Sequence, residues 1–219
     1  MLSFMRMLLF VFLIISPLST YSSFTLANVS IDDSAPDPRT GARITYGKID
    51  NTTNGVGFIE GQNCQKCGAQ PDPSQTFNRT WHAASVKSNG NESPFATVSF
   101  TGSAIYVMGI VVSSTPATNM SLNNSKIFFQ VDGMDQGSFL YKASLGPEII
   151  YSYNMTLFAT ENLSYGLHNV TITCGDGALP QRDPNSVCLL DRFIYTTRVD
   201  SEDSSSISGG PQPSNKFLF

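Results

Sequence analysis

The sequence predicts an all-β fold, an antiparallel β-sandwich of jelly-roll type. Three observations lead there. Apolar residues alternate with polar ones in many short segments, the period of a half-buried strand. Turn signals such as Thr101-Gly102-Ser103 and Asp132-Gly133 separate those segments. Amphipathic helical periodicity is hard to find. Many short strands broken by turns are the pattern of sandwiches and jelly rolls.

In chain order, Ala42 to Ile49 is the expected opening strand, and Gly55 to Asn78 reads as loop, with Pro71 and Pro73. Phe95 to Phe100 is a strand, followed after the Thr101 turn by Ala104 to Val112. That second run is apolar on both faces, so it is expected at the centre of a sheet. Ser113 to Ser125 is polar loop, and Lys126 to Val131 is a strand ending at the Asp132-Gly133 turn. Ser138 to Tyr141 is a short strand. Ile149 to Phe158 alternates, with Tyr151, Tyr153, Met155 and Leu157 expected on one face and Asn154 and Thr156 on the other. His168 to Cys174 places Val170 and Ile172 inward, and Val187 to Thr197 closes the domain.

The ends read differently. Met7 to Ile15 is an unbroken apolar run after the single positive charge of Arg6, and Pro17 and small polar residues follow. This is the order of a secretory signal peptide, expected over 1–27 with cleavage after Ser22 or Ala27. The run is too short to span a bilayer, which takes about 20 apolar residues. A sandwich domain over 28–198 and a flexible Ser/Gly/Pro-rich tail over 199–219 complete the expected layout, with no membrane span after signal removal. A domain of about 170 residues supports a full core.

Charged residues are 14% of the chain and the net charge is -4, with hydrophobic residues at 41%. An acidic balance excludes nucleic acid, whose phosphates call for Lys and Arg, and argues against docking on anionic lipid. The polar surface is instead rich in Ser, Thr and Asn. Nine Asn-x-Ser/Thr sequons start at Asn28, Asn51, Asn78, Asn91, Asn119, Asn123, Asn154, Asn162 and Asn169. Composition alone would give about three. In a secreted chain these are acceptors for N-glycans, Asn91 the poorest because Pro94 follows it. Glycans on Asn154 and Asn169 would obstruct a flat ligand on those strands, which favours a binding site on loops at one end of the sandwich.

The four cysteines, Cys64, Cys67, Cys174 and Cys188, allow three disulfide connectivities. The favoured one joins Cys64 to Cys67 and Cys174 to Cys188. A redox C-x-x-C needs a βαβ context that is absent from the pattern, and a four-cysteine zinc site needs a second C-x-x-C.

One order of motifs runs through nearly the whole domain: Val29 to Asp33, Ile44-Thr45-Tyr46, the Cys64 to Cys67 pair with Pro71 to Ser74, Thr80-Trp81-His82, Val98 to Val107, Val131-Asp132-Gly133, Tyr153-Asn154, Gly166-Leu167-His168 and Leu189 to Tyr195. This order resembles a large family of secreted or single-span proteins of mushroom-forming (basidiomycete) fungi, mostly of unknown function and similar to galactose-binding-like jelly rolls. The resemblance implies that fold and an expectation of carbohydrate binding, with cell-wall polysaccharide or glycoprotein glycans as partners. Members often carry Asp after the Trp-His pair, where this chain has Ala83, and many continue into a membrane span, where this chain stops at Phe219.

Candidate ligand-binding residues are Trp81, His82 and Asp132. An exposed Trp81, the one tryptophan, would stack on a sugar ring, with Tyr46 or Tyr151 extending a groove; a core anchor is the competing role. His82 would hydrogen-bond a hydroxyl or serve the fold, and Asp132 fits a turn as well as a ligand. His168 reads as structural. Asp191 interrupts an apolar strand and needs a partner, with Arg192 expected on the opposite face. Calcium is compatible with the fold class, but no D-x-D-x-D pattern supports a site and no cofactor is expected. No G-x-S-x-G or H-E-x-x-H motif is present, and the scattered acids do not mark a glycosidase pair. A non-catalytic binding module is expected, ahead of an adhesion protein with a protein partner and of a glycan-active enzyme.

Overall fold

A computed structural model describes residues 23–49, 57–86, 93–117, 124–175 and 186–200. The strands are β1 (Phe24–Asp32), β2 (Thr45–Ile49), β3 (Ile59–Glu60), β4 (His82–Val86), β5 (Ser93–Gly102), β6 (Ala104–Thr115), β7 (Asn124–Val131), β8 (Met134–Lys142), β9 (Ser144–Leu145), β10 (Ile150–Thr160), β11 (Gly166–Cys174) and β12 (Ser186–Asp200). They form two sheets. The larger runs β10-β6-β12-β4-β3, with β1 also on β12 and β9 on β6; the smaller runs β2-β5-β11-β7-β8. All pairs but β6–β9 are antiparallel. The expected β-sandwich is therefore the fold.

The alternation seen in the sequence builds the core. Ala96, Val98 and Phe100 of β5, Ile127 and Phe129 of β7, and Val170 and Ile172 of β11 face Ile105, Val107 and Val111 of β6 and Phe193 and Tyr195 of β12 between the sheets. β6 sits between β10 and β12 and is buried along nearly all its length, as its two-sided apolar run requires. Asp132 (φ 53) and Gly133 (φ 76) close the β7–β8 hairpin in the left-handed region that a two-residue turn of this twist demands.

The disulfides are Cys64–Cys67 and Cys174–Cys188. The second joins β11 of one sheet to β12 of the other and so staples the sandwich. Four strands were not expected as such: β1, β3, β4 and β9. β1 begins at Phe24 and pairs residue by residue with β12 as far as Asp200. The two cleavage points differ accordingly: cutting after Ser22 leaves β1 whole, and cutting after Ala27 removes its first four residues. Of the signal peptide expected over 1–27 and the tail expected over 199–219, residues 1–22 and 201–219 lie outside the described residues, as do Asn51, Asn91, Asn119 and Asn123.

β12 is the spine of the larger sheet. One edge holds β6. The other edge is shared: β4 pairs with Ser186 to Leu190, and β1 pairs with Arg192 to Asp200. β1 and β4 thus lie end to end as one broken strand, and the described chain between them, 33–49 and 57–81, makes an excursion out from the break. The excursion adds β2 to the smaller sheet, then returns across the outer face of the larger one.

Replacing both Cys174 and Cys188 by Ala is expected to lower stability by about 3 kcal/mol, the chain-entropy value for a loop of this order. Thermal unfolding followed by circular dichroism checks it, with the Cys64/Cys67 pair, which closes only a tight local turn, expected to cost much less.

Candidate functional site

The break between β1 and β4 gathers the polar side chains. Asp32 ends β1 and His82 begins β4; the one β12 residue between their partners is Asp191, at a register shift. Asp33 is buried, and its Oδ2 lies 2.6 Å from His82 Nδ1. Thr80 Oγ1 donates to Asp33 Oδ1 at 2.5 Å and Ser34 Oγ to Oδ2 at 3.0 Å. Tyr46 stacks flat on the imidazole, centroids 4.0 Å apart, and donates its hydroxyl to the Asp33 carbonyl at 2.6 Å. Burial, with Asp33 and Asp32 nearby, pushes the Tyr46 phenol far up from its ordinary value. This is a clasp: residues far apart in sequence close the base of the excursion.

Beside the clasp, Asp32 Oδ1 accepts the backbone N–H groups of Ser34 and Ala35, and its Oδ2 accepts Asn78 Nδ2 at 2.8 Å. Asp191 Oδ1 accepts the Phe77 N–H at 2.8 Å, and Asp191 Oδ2 bonds Arg192 Nη1. Arg192 Nη2 donates to Asn154 Oδ1 at 2.7 Å, and the guanidinium lies 4.8 Å over the Phe77 ring. Burial pushes the Asp191 carboxyl up, with Asp33 adding to it, while the Phe77 amide and Arg192 pull it back.

Two expectations are corrected here. Strict alternation puts Arg192 opposite Asp191. The register shift between Leu190 and Arg192 adds a residue to β12, so both side chains meet. Alternation likewise puts Tyr151, Tyr153, Met155 and Leu157 on one face. Asn154 has φ 52 and sits in a register shift between Ser152 and Met155. Tyr151 and Tyr153 pack on the outer face with Trp81, Ile110 and Leu189, while Met155 and Leu157 join the inner core. Both shifts flank Gly109 of β6, where a Cβ would meet Leu157 Cδ1 at 2.4 Å and the Leu189 carbonyl at 2.5 Å.

Trp81 is 1% exposed, which fits the core anchor of the two roles weighed for it and not the exposed stacking platform. Its indole lies on the outer face of the larger sheet, under Gly61. His82 is buried in the clasp, and Asp132 bonds His168 Nδ1 at 2.7 Å and the Asn169 N–H at 2.8 Å. The three candidates are not brought together: Trp81 and His82 adjoin, while Asp132 belongs to the other sheet. Tyr46 is part of the clasp, and Tyr151 alone of the two expected groove residues stands beside Trp81. The shift at Asn154 is invisible to alternation, so the sequence does not mark Tyr153 for this face.

Among the described sequons, Asn28, Asn78, Asn154, Asn162 and Asn169 are all exposed. Asn169 stands on the outer face of the smaller sheet, bonded to Thr97 and Ser99. Asn78 and Asn154 serve the junction with their amides and both adopt positive φ, which Asn tolerates. Among the described residues no cluster of three or more His, Cys, Asp or Glu is placed to hold a metal ion, and no helix is long and apolar enough to cross a membrane.

No protein-family model matches this chain, and no curated protein matches it. Solved structures similar to it include a family 35 carbohydrate-binding module from Clostridium thermocellum (10% identity, 78% of this chain, 97% of that one, TM-score 0.35). A two-domain esterase active on acetylated mannans is 13% identical over 78% of this chain and 36% of its own, at TM-score 0.38. An exo-β-1,3-galactanase from Phanerochaete chrysosporium is 12% identical over 77% of this chain and 29% of its own, at TM-score 0.35. The chain thus spans about a third of the esterase and galactanase chains. At such identities and scores the likeness assigns neither ligand nor activity.

His82→Ala leaves Asp33 buried with hydroxyl partners only, and the expected loss is on the order of 3 kcal/mol. In urea titrations the His82→Ala/Asp33→Asn double variant is expected to lose less than the two single losses combined, because the residues touch.

A pH dependence follows from the second pair. Burial works against the His168 imidazolium, but the Asp132 carboxylate and the Ser164 carbonyl outweigh it and the group is raised from 6.5. Its contribution is complete below that ordinary value and fades as pH rises through the raised one. Asp132, held below 3.8 chiefly by its bonds to His168 and to the Asn169 amide, contributes above 3.8 and loses this in acid. The wild-type urea midpoint is therefore expected to fall as pH rises from the ordinary value of 6.5 through the raised one, and Asp132→Asn to flatten that fall.

Proposed function

We propose that this chain is a secreted, N-glycosylated, non-catalytic domain that binds a neutral glycan of the cell wall or of glycoproteins. The observation that carries this reading is the pair of half-buried tyrosines, Tyr151 and Tyr153, on the outer face of the larger sheet, beside the buried Trp81 and an apolar floor of Ala83, Ile110 and Leu189. Aromatic rings with a few polar groups over an apolar floor suit a pyranose, which presents an apolar face and a rim of hydroxyls. Two disulfides accord with an oxidising compartment.

The non-catalytic reading draws on how the buried acids are engaged. Asp33 holds His82, Thr80 and Ser34, and Asp191 holds Phe77 and Arg192. The Thr80 and Ser34 hydroxyls sit on the carboxylate of the Asp33–His82 pair, not on the imidazole side where a nucleophile would be activated. The aromatic face replaces the loop end as the expected location, because the Asn154 shift turns Tyr151 and Tyr153 outward.

A pull-down of the secreted protein on insoluble chitin, glucan and cell-wall preparations tests the reading. Retention that Tyr153→Ala reduces about tenfold or more, in a variant with an unchanged melting profile, supports it. Thr156→Ala belongs in the set: it removes the sequon at Asn154 and keeps the Asn154–Arg192 bond, so it separates the glycan from the side chain. No retention on any polysaccharide would favour a protein partner, for which the β8 edge with exposed Met134 and Leu140 offers a surface.

A further inference from the structure

The return of the excursion covers the aromatic face with a strap, residues 61–72. Trp81 Nε1 is buried and has no hydrogen-bond partner. Gly61 presses on that nitrogen so closely that a Cβ there would lie 1.9 Å from it. Further along, the Gln70 N–H donates to the Tyr151 hydroxyl at 2.7 Å, and the Asp72 N–H to the Tyr153 hydroxyl at 2.7 Å. Strap backbone thus meets each aromatic polar group in turn. It satisfies two of the three and leaves the indole donor unmade, which is an unfavourable arrangement for a buried N–H.

The strap is a compact body with few ties to what lies beneath. The Cys64–Cys67 disulfide and the bonds from Gln70 Nε2 to the Cys64 and Cys67 carbonyls (2.7 and 2.9 Å) hold it together internally. Ala69 is the strap side chain in the apolar cluster. Its other ties are polar: Gly61 N–H to the Trp81 carbonyl at 2.8 Å and Trp81 N–H to Gln62 Oε1 at 3.2 Å. Lifting it would keep its own bonds, uncover the buried Ala69 and Pro71, and free the indole, whose N–H then finds an acceptor. The clasp at Asp33–His82 uses no residue of the strap, so the sandwich need not open.

We infer that the strap occupies a closed saccharide site, and that a neutral oligosaccharide binds by displacing it: one pyranose face stacks on the Trp81 indole, a ring hydroxyl accepts from Nε1, and further hydroxyls replace the Gln70 and Asp72 amides at the Tyr151 and Tyr153 oxygens. The inference rests on the glycan-binding reading and adds to it the place of binding and the element that gates it. Binding is then weaker than the open site alone would give, by the fraction of molecules with the strap lifted.

Because Trp81 is the one tryptophan, its fluorescence reports the strap directly. In the secreted protein, laminarihexaose and chitohexaose are the probes, with acrylamide as quencher. Gly61→Ala is expected to push the strap off, raise the acrylamide quenching constant severalfold, keep a cooperative melt, and tighten binding of at least one probe severalfold. Wild type, which needs no variant to fold, is expected to show a probe-dependent change in Trp81 emission. Emission unchanged at probe concentrations that saturate retention would place glycan binding elsewhere and overturn the inference while leaving the broader reading intact. Gly61→Ala that exposes Trp81 and still binds neither probe would also overturn it. Loss of all retention in the pull-down, by contrast, overturns the broader reading first.

Discussion

The contact on which the architecture turns is the buried bond between Asp33 and His82. It joins the end of one strand segment to the start of another that lies beyond it on the same edge of β12. The β12 ladder holds β1 and β4 separately, and this bond ties the two to each other across the break. A buried carboxylate is costly when unpaired. Here the imidazole, two hydroxyls and the stacked Tyr46 ring surround Asp33, so the polar groups that would oppose burial define one arrangement of the break.

From that fixed point the outer face is laid out in two parts. A polar belt of Asp32, Asp191, Arg192 and Asn154 runs across β12 and β10, with Phe77 and Asn78 closing it from above. Next to it lies the aromatic face. The register shifts at Asp191 and Asn154 sit on either side of Gly109, and together they decide which side chains face outward. Shifts of this kind are a common way for a sheet to re-aim side chains near a site. Here they put Arg192 beside Asp191 and turn two tyrosines toward Trp81, so the same local irregularity serves the fold and the candidate site.

Much of the fold was legible in the sequence. The alternation of β5, β7, β11 and β12, the two-sided burial of β6, the Asp132-Gly133 turn and both disulfides follow from local pattern and chemistry. What was not legible depends on partners distant in the chain. β4 is too short and too small-residue-rich to signal a strand before β12 pairs with it, and β1 overlaps a segment whose apolar character suits a leader. The faces of Tyr151 and Tyr153 depend on one left-handed Asn, which is also a sequon, so its sequence signature pointed to a glycan rather than to a bulge. Trp81 shows the same limit: a lone tryptophan next to a histidine fits a platform or an anchor, and only Gly61 above it decides between them.

Native-state hydrogen exchange on the purified protein tests the central claim most directly, because it resolves the clasp from the strap in one experiment. The clasp account predicts that the amides of Ala83 and Ala84 in β4 and of Ile31 in β1 exchange only with global unfolding, while those of Gln70 and Asp72 exchange through a smaller, local opening. If the β4 amides instead opened together with Gln70 and Asp72, ahead of β12, the Asp33–His82 bond would not be the fixed point of the fold, and the account built on it would fail.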